Sequence, residues 1–186
     1  YMGLIKQIDD QLGELFDFME SQGRWKDTLV VFCSDHGDYL GDHHLGEKEL
    51  FHDTVSKTPM IIYDPSEAAN KTRGTVNEEQ FVEAIDLVTT FVEAVGAKVN
   101  TDRLEGLSLL PLLHGKSLTN WREFVINEFD YSFRTNTRIE LKRPIKACSM
   151  ITLRDKKWKF VQCEGFRPLL FNLLDDPHEF HDLGAS

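Results

Sequence analysis

The chain has 186 residues, 41% of them hydrophobic and 28% charged, the make-up of a globular protein large enough to bury a real core. Its formal net charge of −10 argues against blanket electrostatic binding to nucleic acid or to an anionic membrane surface. No apolar run approaches the roughly 20 residues that cross a bilayer, and the opening YMGLIKQIDD lacks the basic start and unbroken apolar stretch of a signal peptide.

In chain order, Leu4, Ile5, Ile8, Leu12, Leu15, Phe16 and Met19 recur at helical spacing, and Gly23 is placed to stop the helix. Asp9 and Asp10 fall on other faces and read as a solvated surface, not as an acid/base pair. The helical pattern is already under way at Tyr1, which suggests a piece of a longer protein. TLVVFCS (28–34) is a continuous apolar run of strand length, and PMIIYD (59–64) is a second. Such runs suit strands covered on both faces, as in a parallel sheet. Within the first run Cys33 reads as a small core residue. With Cys148 and Cys163 it makes only three cysteines, no disulfide framework, so a reducing, cytoplasmic setting is expected.

Roughly two dozen residues without periodicity separate the two strands, and loops of that length in compact domains tend to be functional. The next helix is expected over 77–96, with Asn77 and Gln80 as a capping box and Phe81, Ile85, Val88, Val92 and Val95 as its apolar stripe. Strand, loop, strand, helix is an α/β order. Beyond about residue 115 the texture changes to short strand candidates at 123–129, 147–154, 157–163 and 169–174, with RDKK (154–157) as a tight turn. The expected organisation is an α/β unit over 1–115 and a small antiparallel-sheet subdomain over 116–186. As a piece of a longer protein, the first unit would be a partial sheet with an open edge, which invites association, so a homo-oligomer is a possible outcome for the isolated piece.

The chemistry concentrates in FCSDHGDYLGDH (32–43), just past the first strand. A carboxylate and an imidazole, Asp35 and His36, suit a divalent ion such as Mn²⁺, Zn²⁺ or Ca²⁺. Neighbours on a regular strand point to opposite faces, so both reach one ion only where the strand ends and the chain turns. Gly37 permits that turn. The carboxyl ends of strands are also where open α/β sheets bind ligands. From the residues alone two readings stand: a polar loop with a capping aspartate, or half of a metal site. Lys48 is likewise either a solvated charge between Glu47 and Glu49 or a cation able to hold a phosphate or sulfate oxygen.

The run TLVVFCSDHGDYLGDHHLGEK resembles the strand-and-loop signature of the sulfatases of the alkaline phosphatase superfamily, with Ser34-Asp35-His36-Gly37, Leu40-Gly41-Asp42-His43 and Lys48 in its order. TPMIIYDP (58–65), AIDLVTTFVEAVGA (84–97), LEGLSLLPLLHG (104–115, with Glu105 in place of the usual Asp) and LLFNLLDDPHEFHDL (169–183) resemble the family's later segments. Within the family, WREFVINEFDY (121–131), ACSMITLRDKKWKFV (147–161) and RPLLFNL (167–173) are most similar to phosphonate monoester hydrolases, also described as phosphodiesterases.

The resemblance implies the C-terminal part of an alkaline-phosphatase-like α/β/α sandwich followed by the small antiparallel subdomain. It implies a metal-dependent hydrolase of phosphonate monoesters, phosphodiesters or sulfate esters, with Asp35 and His36 as metal ligands. Lys48 would contact the transferable oxyanion, and His43 would organise the loop. One divalent ion (Mn²⁺, Ca²⁺ or Zn²⁺) and a small anionic ester are the implied partners. The family's nucleophile is a formylglycine matured from Cys/Ser-x-Pro-x-Arg, a motif this chain does not contain. An arylsulfatase and a non-catalytic sulfatase-like module are the alternatives.

Overall fold

A computed structural model describes residues 1–184. The first apolar periodicity forms helix α1 (Met2–Ser21), and Gly23 stops it in the left-handed conformation that costs glycine least (φ 62°). A 3₁₀ turn (24–26) then places Trp25 between Phe16 and Tyr63, with ring centroids 5.3 and 5.2 Å away. Only Met19 of α1 is buried; Leu4, Ile5, Ile8 and Leu15 face outward.

The two apolar runs become β1 (Val30–Cys33) and β2 (Met60–Tyr63), but they pair antiparallel, Val30 opposite Tyr63. The expected parallel, doubly covered arrangement is therefore corrected. The intervening loop brings β2 straight back beside β1, and Phe32, Cys33 and Ile61 are exposed. Cys33 is thus not a core residue among the described residues.

The loop itself contains a 3₁₀ turn (42–44) and the short helix α2 (Asp53–Ser56). Helix α3 (Ile85–Ala94) starts later than expected, although Asn77 does exchange hydrogen bonds with Gln80 ahead of it. Its orientation also departs from expectation. Ile85, Val88 and Val95 are exposed, while Asp86, Thr89 and Thr90 are buried. The reason is local. Asp86 accepts the Leu107 N–H (2.7 Å) and the Glu83 N–H (2.8 Å), and Arg122 grips its carboxylate with both terminal nitrogens. Thr90 Oγ1 accepts the Leu109 N–H at 2.8 Å. These bonds staple residues 106–109 onto the helix. A side chain at Gly106 would meet the Ile85 carbonyl at 2.2 Å, so glycine there serves close approach. Helix α4 (Leu110–Leu113) follows.

The remaining strands match expectation closely. β3 (Val125–Asp130), β4 (Ser149–Arg154), β5 (Trp158–Cys163) and β6 (Leu169–Asn172) form one antiparallel sheet in sequence order, with helix α5 (Thr135–Glu140) between β3 and β4. The β4–β5 turn is held by Asp155, whose Oδ1 accepts the N–H groups of Lys157 and Trp158. Met150, Val161, Phe171 and Leu173 form the core, and Phe51 of the long loop packs against it. Among the described residues no helix is long and apolar enough to cross a membrane.

Candidate active site

The sequence-selected residues lie where β1 gives way to the long loop. Ser34 Oγ donates to the His36 carbonyl (2.7 Å), and Asp35 Oδ1 accepts the His36 N–H (3.0 Å). The chain thereby folds back on itself, and the side chains of the two neighbours converge. His36 Nε2 lies 3.4 Å from Asp35 Oδ2 and 2.6 Å from Lys48 Nζ. Its other nitrogen, Nδ1, lies 2.7 Å from the Gly37 carbonyl. That carbonyl can only accept, so Nδ1 carries the proton and donates to it. An ammonium group can only donate, so Nε2 accepts from Lys48. The Nε2 lone pair therefore takes the Lys48 hydrogen bond, with the Asp35 carboxylate 3.4 Å away.

This is the tautomer a metal-binding histidine needs. The spacing also fits: on a tetrahedral ion with bonds of about 2.1 Å, two ligand atoms sit about 3.4 Å apart. Asp35 is 83% exposed, so its carboxylate faces outward, whereas both ring nitrogens of His36 are engaged, by Gly37 and Lys48. Two donors do not complete a site, and among the described residues no three His, Cys, Asp or Glu side chains gather around one point.

Gly37 has a different task from the one its type suggests. Its backbone is not in the left-handed region; instead its N–H donates to the Val55 carbonyl (2.9 Å), and a side chain would sit 2.0 Å from the Thr54 carbonyl. Glycine is there so that α2 can touch it. Asp38 and Asp42 turn to local bonds, Asp38 Oδ1 accepting the Leu40 N–H (2.9 Å) and Asp42 Oδ2 the Thr54 hydroxyl (3.4 Å). Leu40, His43, His44, Glu47 and Leu50 all adopt positive φ, so the loop holds five non-glycine residues in a costly conformation within eleven positions.

His43 does not join Asp35 and His36. It stacks on His52, ring centroids 3.8 Å apart, with Phe180 on its other side at 4.8 Å. His52 is buried, and its Nδ1 is hydrogen-bonded to the Tyr39 hydroxyl at 2.7 Å. Burial, then the neighbouring His43 and Lys159, push the His52 imidazole down to about 4. Burial pushes the Tyr39 hydroxyl up to about 12. Both groups are neutral near pH 7, which suits the interior of a loop.

Sequence reasoning missed this Tyr39–His52 pair and a second group behind it. Lys159, 1% exposed, places its ammonium against Asp53 Oδ1 and Glu179 Oε1 and donates to the Phe51 carbonyl at 3.1 Å. Arg154 donates to Asp53 Oδ2 at 3.0 Å. Burial alone would raise the Asp53 carboxyl, but Lys159 and Arg154 outweigh it and hold it below the usual carboxylate range. One signal was readable: in β5, Lys159 shares strand parity with Val161 and Cys163 and so points inward with them.

A family model described as Sulfatase matches residues 1–97, just over half of the chain. The multifunctional alkaline phosphatase superfamily protein PehA of Trinickia caryophylli is 38% identical over 100% of this chain and 36% of its own length. An arylsulfatase of Clostridium perfringens is 31% identical over 77% of this chain and 29% of its own length. The crystal structure of the phosphonate monoester hydrolase of Agrobacterium radiobacter superposes with a TM-score of 0.88 at 32% identity, covering 98% of this chain and 36% of that one. The chain thus spans about a third of the length of these relatives. Its α/β architecture is that of the matched alkaline-phosphatase-like hydrolases. With the family match running through α1, both strands and the Asp35–His36 turn, the chain belongs to the sulfatase family of hydrolases.

Proposed function

We propose that the protein carrying this chain hydrolyses small anionic esters, with phosphonate monoesters and phosphate diesters preferred over sulfate esters. The observation that carries the reading is the convergence of the Asp35 carboxylate, His36 Nε2 and the Lys48 ammonium at the carboxyl end of β1. The similarity to a phosphonate monoester hydrolase along nearly the whole chain supports the preference for phosphorus. Residues 1–115 contribute to the catalytic α/β unit in this reading, and 116–186 form a small subdomain that braces it.

Asp35 and His36 would hold one divalent ion of the Mn²⁺, Ca²⁺ or Zn²⁺ kind, the remaining ligands and the formylglycine nucleophile coming from outside these 186 residues. When bound, the ion supplies Lewis-acid stabilisation of negative charge at the reacting group. Asp35 contributes an anionic oxygen, and His36 a nitrogen whose direction the Gly37 carbonyl fixes. The Lys48 ammonium sits on a flexible stem and can leave Nε2 for an oxygen of the transferring group, offsetting the charge that develops there. His43 has no place at the reacting centre in this scheme; it organises the loop through its stack on His52.

The test is to assay the full-length protein on matched aryl phosphonate monoesters, aryl phosphate diesters and aryl sulfates, with and without Asp35→Asn. Turnover of the phosphorus esters ahead of the sulfate is expected. Asp35→Asn should lose both bound metal and turnover. Retained metal and turnover in that variant would remove Asp35 from the ligand set. Absence of turnover on all three esters would favour a non-catalytic sulfatase-like module.

A further inference from the structure

We propose that Lys159 and Glu179 are positioning residues for His36, acting on it through Asp53, α2 and Gly37; this rests on the reading of His36 as a metal ligand. The starting point is the register of the four-stranded sheet. Arg154 of β4 and Lys159 of β5 are directly opposite one another. Two like charges in that relation repel, and Lys159 is almost wholly buried, so the pair demands anions. Asp53 of the site-bearing loop answers both cations, one carboxylate oxygen to each. Glu179 completes the set: Oε1 faces Lys159, and Oε2 accepts the Asp53 N–H at 2.7 Å. Two positive and two negative groups balance, and they fix the first residue of α2 to the sheet.

From α2 the constraint passes to His36 in two bonds. The Val55 carbonyl accepts the Gly37 N–H at 2.9 Å, and the Thr54 carbonyl lies where a side chain at Gly37 would be, so this peptide cannot slide over the helix. The Gly37 carbonyl then accepts His36 Nδ1–H at 2.7 Å and leaves Nε2 as the acceptor, bonded to Lys48 and 3.4 Å from Asp35 Oδ2. Every link is a contact between named groups, and the chain of contacts runs from a buried ion cluster to the tautomer of one imidazole.

The test is Glu179→Ala in the full-length protein, read by isotope-labelled imidazole NMR and by Mn²⁺ titration. His114, bonded to Asp64 Oδ2 at 2.9 Å and outside this network, is the internal control. His36 should pass from a single Nδ1–H tautomer to a mixture, and Mn²⁺ binding should weaken about tenfold to a hundredfold, the usual cost of losing a group that orients a ligand, with His114 unchanged. Glu179→Gln keeps an oxygen for the Asp53 N–H and should recover part of both losses. A folded Glu179→Ala variant with the original His36 tautomer and Mn²⁺ affinity overturns the proposal. If that variant does not fold, Glu179→Gln decides: a mixed tautomer with severalfold weaker binding supports the assignment, and unchanged values overturn it. If the unaltered full-length protein binds no Mn²⁺, the reading of Asp35 and His36 as Mn²⁺ ligands fails, while the tautomer comparison still decides the positioning role.

Discussion

Two charged clusters lie within one loop's reach, and they are built on opposite plans. Asp35 and Lys48 are exposed and under-used beside a half-buried His36: the carboxylate and the ammonium keep bonding capacity pointing outward. Asp53, Glu179, Lys159 and Arg154 are largely withdrawn from solvent and spend their charges on one another. A cluster that satisfies itself has nothing left for a ligand, and one that faces water unsatisfied has little to offer stability. Burial and pairing thus separate a scaffold from a site where residue type alone does not.

That contrast is open to attack, beginning where the effect is largest. Lys159→Met should leave two carboxylates facing a single arginine and cost about 3–5 kcal/mol in urea unfolding, the usual penalty for breaking a buried pair. A loss below 1 kcal/mol would mean the cluster is not the brace described. Acid should strike the same region through His52. Its imidazole titrates near 6.5 when unfolded and about 4 when folded, so the unfolded chain takes up the proton first. The contribution is fully present above pH 6.5 and disappears as pH falls toward 4, by at most about 3 kcal/mol. His52→Gln should therefore flatten the pH dependence of the melting temperature across that window. Gly37→Ala drives a methyl group against the Thr54 carbonyl and should cost about 1–3 kcal/mol, with Mn²⁺ affinity falling alongside. Least affected is Asp35→Asn, whose exposed carboxylate should leave stability within about 0.5 kcal/mol while turnover of the full-length protein disappears.

What could be read from the sequence was mostly local. The helix stopped by Gly23, the RDKK turn closed by Asp155 and the strand end at Asp35 each depend on a few adjacent residues. The pairing of β1 with β2 was not legible, because an apolar run records that a strand wants cover and not what covers it. The face presented by α3 misled for a related reason. Its valines and Ile85 mark the apolar side, yet Asp86 and Thr90 point inward to satisfy the backbone of residues 107–109. His43 belonged to the right loop, but only the fold shows it stacked on His52, away from Asp35. The Asp53–Lys159–Glu179 group was hard to read because Asp53 lies 106 and 126 positions from its two partners, and only strand parity set Lys159 apart from any other strand lysine.

The distance along the chain between Asp53 and Glu179, 126 residues, sets a schedule for biosynthesis. A ribosome adding about 5–20 residues per second reaches Glu179 roughly 6–25 s after Asp53 has been made. Until then α2 has no carboxylate to hold its first N–H, and the Arg154–Lys159 pair is short of an anion. The nascent chain therefore carries Asp35 and His36 well before the DDPHEF segment that folds back under the loop.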